Sequence, residues 1–224
     1  MVRQSNWSDD YWLLLMQLYL LKPVGVKPMY SRDMVKLSVE LHIHPADLFA
    51  RMCQLANLDT PRIARLWQRY GSSPYRLKRA VRLLRSMSGF NTSGLFYEGV
   101  SVNETFERMF APISEGSPFM PVMLILILDL YFRLTPATMV AETPEVVELS
   151  RLMKVQPEHI AGIMAVLQTC DAYLRRTSLP ASLPPCCTDQ ALQDACRNVW
   201  QCYGSSDTEA LASYARDLKE YFLC

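Results

Sequence analysis

An all-α chain made of two diverged copies of one roughly five-helix unit is what the 224-residue sequence predicts. Three features predict it. Apolar residues recur at helical rather than alternating spacing, proline and glycine fall where helices should begin and end, and the chain matches itself at a shift of half its length. Shifted by 112 residues, Trp12 to Asp59 lies on Leu124 to Asp171 without a gap. Ten of these 48 positions are identical, among them Leu14/Leu126, Leu18/Leu130, Tyr19/Tyr131, Val35/Val147, Pro45/Pro157 and Asp59/Asp171. The match resumes after 21 extra residues in the second copy, where WQRYGSS at Trp67 to Ser73 meets WQCYGSS at Trp200 to Ser206. This reading divides the chain into a first unit at 1–88, a connector at 89–118 and a second unit at 119–224, with the insertion near 176–196.

Each unit opens on a helix that is apolar at nearly every position, about Asp10 to Leu21 or Pro121 to Arg133, and therefore destined for burial. A second helix follows Ser31 or Thr143 as N-cap and runs to about Leu41 or Met153, with Glu145 and Glu148 in the second copy suiting the positive helix start. Proline suits the first helical position, so Pro45 and Pro157 mark the start of a third helix. A fourth opens near Pro61 in the first copy, carries Trp67 and Tyr70, and should end at Gly71 or Gly204, a residue type that tolerates a left-handed terminal conformation. Serine is then expected to cap the fifth helix, Ser73 before Pro74 or Ser206 with Glu209 in a capping box. The connector should hold an extended piece near Phe96 to Val102 and a short helix from Asn103 to Phe110. The second and third helices, with their short turn, resemble the helix-turn-helix arrangement in each copy. In the first, Arg51 and Gln54 are the groups that would meet base edges.

Half the residues are hydrophobic and one fifth charged, a composition that excludes general disorder. The formal net charge of +1 conceals an asymmetry: residues 1–112 hold 15 Lys and Arg against 9 Asp and Glu, net +6, while 113–224 hold 8 against 13, net −5. The runs Tyr11 to Leu21 and Phe119 to Leu128 fall short of the roughly 20 residues that span a bilayer, so no membrane partner is expected. Asp9 and Asp10 oppose a secretory leader, and seven cysteines at irregular spacing read as reduced thiols, which together predict a cytoplasmic protein.

The functional signal is a run of cations. Between Pro61 and Tyr97 stand Arg62, Arg65, Arg69, Arg76, Lys78, Arg79, Arg82 and Arg85, with no acidic residue among them. On a helix Arg62, Arg65 and Arg69 form one stripe, opposite the side that Ile63 and Leu66 would bury. In the next helix Leu77, Ala80, Val81 and Leu84 make the apolar face and leave the cations on the remainder. The second copy has Ala195, Asn198 and Cys202 at the places of Arg62, Arg65 and Arg69, so the unit does not need arginine there to fold. Arginine's planar fork suits phosphate and carboxylate. The expectation is non-enzymatic nucleic-acid binding through the phosphate backbone, with a protein-interaction or scaffold module gripping an acidic partner as the alternative.

Other chemistry finds little support. Cys186, Cys187, Cys196 and Cys202 lack the spaced thiolate pairs of a zinc site, and His42 and His44 precede Pro45 as a turn or cap, so neither metal nor cofactor is expected. P-loop, G-x-G-x-x-G, G-x-S-x-G and H-E-x-x-H motifs are absent, and no enzymatic role is assigned.

Overall fold

A computed structural model describes residues 7–87, 90, 106–174 and 183–223, and among these all regular structure is helical. Two compact units divide the chain, Met1–Val102 and Asn103–Leu223. The extended piece expected near 96–102 lies outside the described residues.

In the first unit α1 (Tyr11–Leu20), α2 (Arg32–Leu41), α3 (Pro45–Asn57), α4 (Pro61–Tyr70) and α5 (Pro74–Arg85) follow in order. Helix α1 is the centre, touching α2, α3 and α5, because Trp12, Leu14, Leu15, Met16 and Leu18 leave it no polar face to turn outward. Around it Met34, Leu48, Met52, Ile63, Leu77 and Val81 close one core. In the second unit a short α6 (Phe106–Met109) precedes α7 (Pro121–Arg133), α8 (Pro144–Met153), α9 (Pro157–Cys170), α10 (Gln190–Tyr203) and α11 (Thr208–Leu223). Every residue from Val122 to Tyr131 of α7 is buried, and α6, α8, α9, α10 and α11 all pack on it. Buried Asp129 is held by Arg133 one turn on, at 2.8 Å.

Three local expectations need correction. Residues 106–118, read as connector, pack within the second unit: Phe110 meets Tyr221 at 5.0 Å between ring centroids, and Ser114 Oγ donates to Asp189 at 3.0 Å. Gly71 and Gly204 are not left-handed, with φ of −62° and −66°. Their requirement is space, since a Cβ at Gly71 would lie 2.7 Å from the Trp67 carbonyl oxygen and 3.2 Å from its indole nitrogen, and one at Gly204 would lie 2.6 Å from the Trp200 carbonyl oxygen. The left-handed helix ends fall instead on His42, Leu58 and Lys154. Finally, serine side chains do not cap the fifth helices: Ser73 makes no capping bond, and at α11 the cap is Asp207, whose carboxylate accepts from the Ala210 amide at 3.3 Å. Three residues separate α4 from α5, and four separate α10 from α11.

His44 does cap α3, its Nδ1 accepting from the Ala46 amide at 3.2 Å, as Thr60 caps α4 through the Ile63 amide. No helix among the described residues is long and apolar enough to cross a membrane.

Candidate nucleic-acid interface

Helices α4 and α5 carry the eight cations, and the local sequence dictates how. Pro61 and Pro74 occupy first helical positions, where a missing amide hydrogen is harmless. Ile63 is the one residue of α4 that is fully buried, and Leu77, Val81 and Leu84 are the buried residues of α5. Helical phase then turns Arg62, Arg65 and Arg69 away from the core on α4, and Arg76, Lys78, Arg79, Arg82 and Arg85 away from it on α5. All eight are exposed.

They are not equivalent. Arg62 pairs with Asp9 at 2.5 Å, and Arg85 forms a bidentate pair with Glu40 of α2 at 2.6 and 2.7 Å. Both pairs are solvent-exposed and worth about 1 kcal/mol or less, but each turns its guanidinium toward a carboxylate of the same unit. Arg65 donates Nε to the Pro61 carbonyl at 3.3 Å, and Arg69 lies 5.5 Å over the Tyr70 ring. Among the described residues no carboxylate lies within ion-pair distance of Arg65, Arg69, Arg76, Lys78, Arg79 or Arg82. Among the described residues, then, six exposed cations on consecutive helices have no carboxylate partner.

Arg51 and Gln54 sit differently. Both are half-buried on α3, and the Arg51 guanidinium covers the Trp7 ring at 5.1 Å, so it packs as a side chain of the unit rather than projecting as a base reader. At the same shift of 112, Ile163 and Val166 of α9 are buried in the second unit.

Sequence reasoning missed three residues on the cationic helix and beside it: Tyr75, Leu83 and Met87 are 77%, 57% and 62% exposed. For Tyr75 and Leu83 the signal was present, since neither falls in phase with Leu77, Val81 and Leu84, whereas Met87 lies just past the helix end at Arg85. In the second unit α11 places Glu209, Ala210, Ala212 and Ser213 at the helix positions where α5 has Tyr75, Arg76, Lys78 and Arg79.

The cysteines form no comparable site. Cys186 and Cys187 sulfurs lie 3.7 Å apart, Cys196 is buried in α10 and Cys202 exposed, and no group of three potential metal ligands converges among the described residues. Cys187 fits under Gly162, where a Cβ would approach its sulfur to 2.7 Å. Burial pushes the Cys196 thiol up to about 12 and the Cys187 thiol up as well, the latter reinforced by neighbouring Cys186. Both should stay protonated in the folded protein and resist alkylation. With N-ethylmaleimide at pH 8, Cys202 is expected to be modified first, and Cys187 and Cys196 only after unfolding, as read by peptide mass spectrometry. Because the folded values are raised, their stabilising effect is complete below the unfolded thiol value of roughly 8.5 and is lost as pH rises toward about 12.

Comparison with protein-family models, with curated proteins and with solved structures gave no match.

Proposed function

We propose that the first unit is a non-enzymatic nucleic-acid-binding module that contacts the phosphate backbone through α4 and α5. The observation that carries this reading is the set of six exposed cations, Arg65, Arg69, Arg76, Lys78, Arg79 and Arg82, without carboxylate partners among the described residues. Five are arginines, whose forked donors match phosphate oxygens and release condensed counterions on contact. Such contacts position a polyanion without reading its sequence, consistent with Arg51 being committed to Trp7.

The proposal includes descent of both units from one helical ancestor, with a helix-turn-helix-like hairpin in each. In support, α2 and α8 share their bounds at a shift of 112, and each ends on a left-handed residue, His42 or Lys154. Tyr19 meets Trp67 edge-on at 5.6 Å, and Tyr131 meets Trp200 edge-on at 5.7 Å. Each tryptophan is followed four residues later by a glycine whose amide bonds the tryptophan carbonyl at 2.7 Å. If the scaffold is common, the arginine face is an acquisition of one copy, and its purpose is binding rather than folding.

The test is a salt titration of the full protein with a fluorescein-labelled duplex. Six phosphate contacts give a slope of about −5 in log affinity against log salt, roughly a thousandfold loss between 50 and 200 mM. No binding at low salt, or binding indifferent to salt, overturns the proposal and leaves the acidic protein partner as the reading of the same arginines.

A further inference from the structure

We infer that the polyanion this surface accepts is single-stranded rather than duplex nucleic acid, with Tyr75 as a platform on which an unpaired base stacks. The inference rests on the proposed function and adds the form of the ligand to it.

The outward side of α5 is mixed in a way that duplex contact does not require. Tyr75 stands 77% exposed at its first turn, and Leu83 and Met87 are 57% and 62% exposed further along. Among them lie Arg76, Arg79 and Arg82, exposed and without carboxylate partners among the described residues. A duplex presents its internal bases only edge-on in the grooves, so a tyrosine ring finds no flat base face there to stack on. A single strand offers phosphates together with unstacked bases, whose flat faces bind aromatic rings regardless of sequence.

Placement agrees. Three residues join α4 to α5, so Arg69 and Tyr70 at the end of one helix share the tip of the hairpin with Tyr75 and Arg76 at the start of the other. One helical turn from Tyr75 is Arg79, placed to hold a phosphate next to a stacked base. Along the helix Tyr75 and Leu83 are separated by about 12 Å, and Met87 follows just beyond the helix end. Spaced apolar groups of this kind suit successive bases of a strand. An anionic membrane would require a continuous apolar face, and the continuous one of α5, Leu77, Val81 and Leu84, is already buried in the core. The corresponding position on α11 is Glu209, so the second unit lacks both the ring and the charge.

The experiment measures anisotropy of fluorescein-labelled (dT)15, (rU)15 and a 15-base-pair duplex with the full protein and its Tyr75→Ala and Tyr75→Phe variants, beside sedimentation with phosphatidylserine vesicles. The single strands are expected to bind more tightly than the duplex. Tyr75→Ala should weaken them roughly 5- to 150-fold without changing the salt slope, and leave the duplex unaffected, whereas Tyr75→Phe should retain most of the affinity. Loss on the (rU)15 probe alone would still support stacking and assign RNA. Salt-dependent binding of strand and duplex alike, untouched by Tyr75→Ala, overturns the inference and spares the phosphate-binding reading. Vesicle binding with no salt-dependent binding to any of the three nucleic acids overturns both. Circular dichroism of each variant guards against misfolding, which the exposure of Tyr75 makes a small risk.

Discussion

Replacing Arg65, Arg69, Arg76 and Arg79 together with glutamine is expected to remove most of the salt-dependent affinity for nucleic acid while leaving the helices intact. Each phosphate contact contributes about 0.9 to the salt slope on a duplex, so losing four of six should reduce it from about −5 to about −2. At low salt the affinity itself should fall by orders of magnitude. The controls use the same residue type in a different setting. Arg62→Gln and Arg85→Gln remove guanidinium groups already turned toward Asp9 and Glu40, and each should change the slope by much less than one contact. Equal losses from paired and unpaired arginines would mean that general charge, and not the arrangement on α4 and α5, governs binding. Thermal unfolding should move little in the quadruple variant, because exposed substitutions away from caps and core usually cost within about 0.5 kcal/mol each.

The second large effect acts through packing. Helix α4 has one fully buried side chain, Ile63, at 0% exposure, with Leu66, Trp67 and Tyr70 packed only partly. Ile63→Ala removes the fully buried side chain of α4 and leaves a cavity in the core of the first unit. A cost of about 2–5 kcal/mol is expected, against about 0.5–1.5 kcal/mol for Ile63→Val. Hydrogen exchange should show the amides of α4 losing protection ahead of those of α1, since the weakest-anchored helix opens first. Binding should weaken in the same variant although every cation remains, because the cations then lack a fixed arrangement. An Ile63→Ala protein with unchanged exchange in α4 would show that Trp67 and its edge-on contact with Tyr19 suffice as the anchor.

Much of this architecture could be read in advance because its causes are local. Helix α7 was legible from its bounds to its burial, since a run from Val122 to Tyr131 with a single carboxylate has no surface to offer water. Pro45, Pro61, Pro74, Pro121, Pro144 and Pro157 stand at helix starts for a reason confined to one residue's ring. The arginine stripe of α4 followed from its period and the need to bury Ile63. Harder to read were features set by residues far apart in sequence. Gly71 looked like a left-handed terminus and is instead a close approach to Trp67, whose ring is held edge-on by Tyr19 from another helix. Asp207, one residue beyond the expected serine cap, became visible only when the turn before α11 proved a residue longer than expected.

The sequence by itself determined that the chain is helical, which positions are buried and that one helix pair collects arginine on its outward face. Those properties depend on spacing of 3.6 residues and on the conformational limits of proline, and both act within a turn or two. Tertiary structure alone decided which of those arginines pair with a carboxylate among the described residues. Asp9 and Glu40 lie 53 and 45 residues away from Arg62 and Arg85, and only folding brings them to 2.5 and 2.6 Å. It likewise decided that Cys187 lodges against Gly162 and that Arg51 covers Trp7. Pairing between distant side chains depends on where helices cross, and no local pattern encodes a crossing.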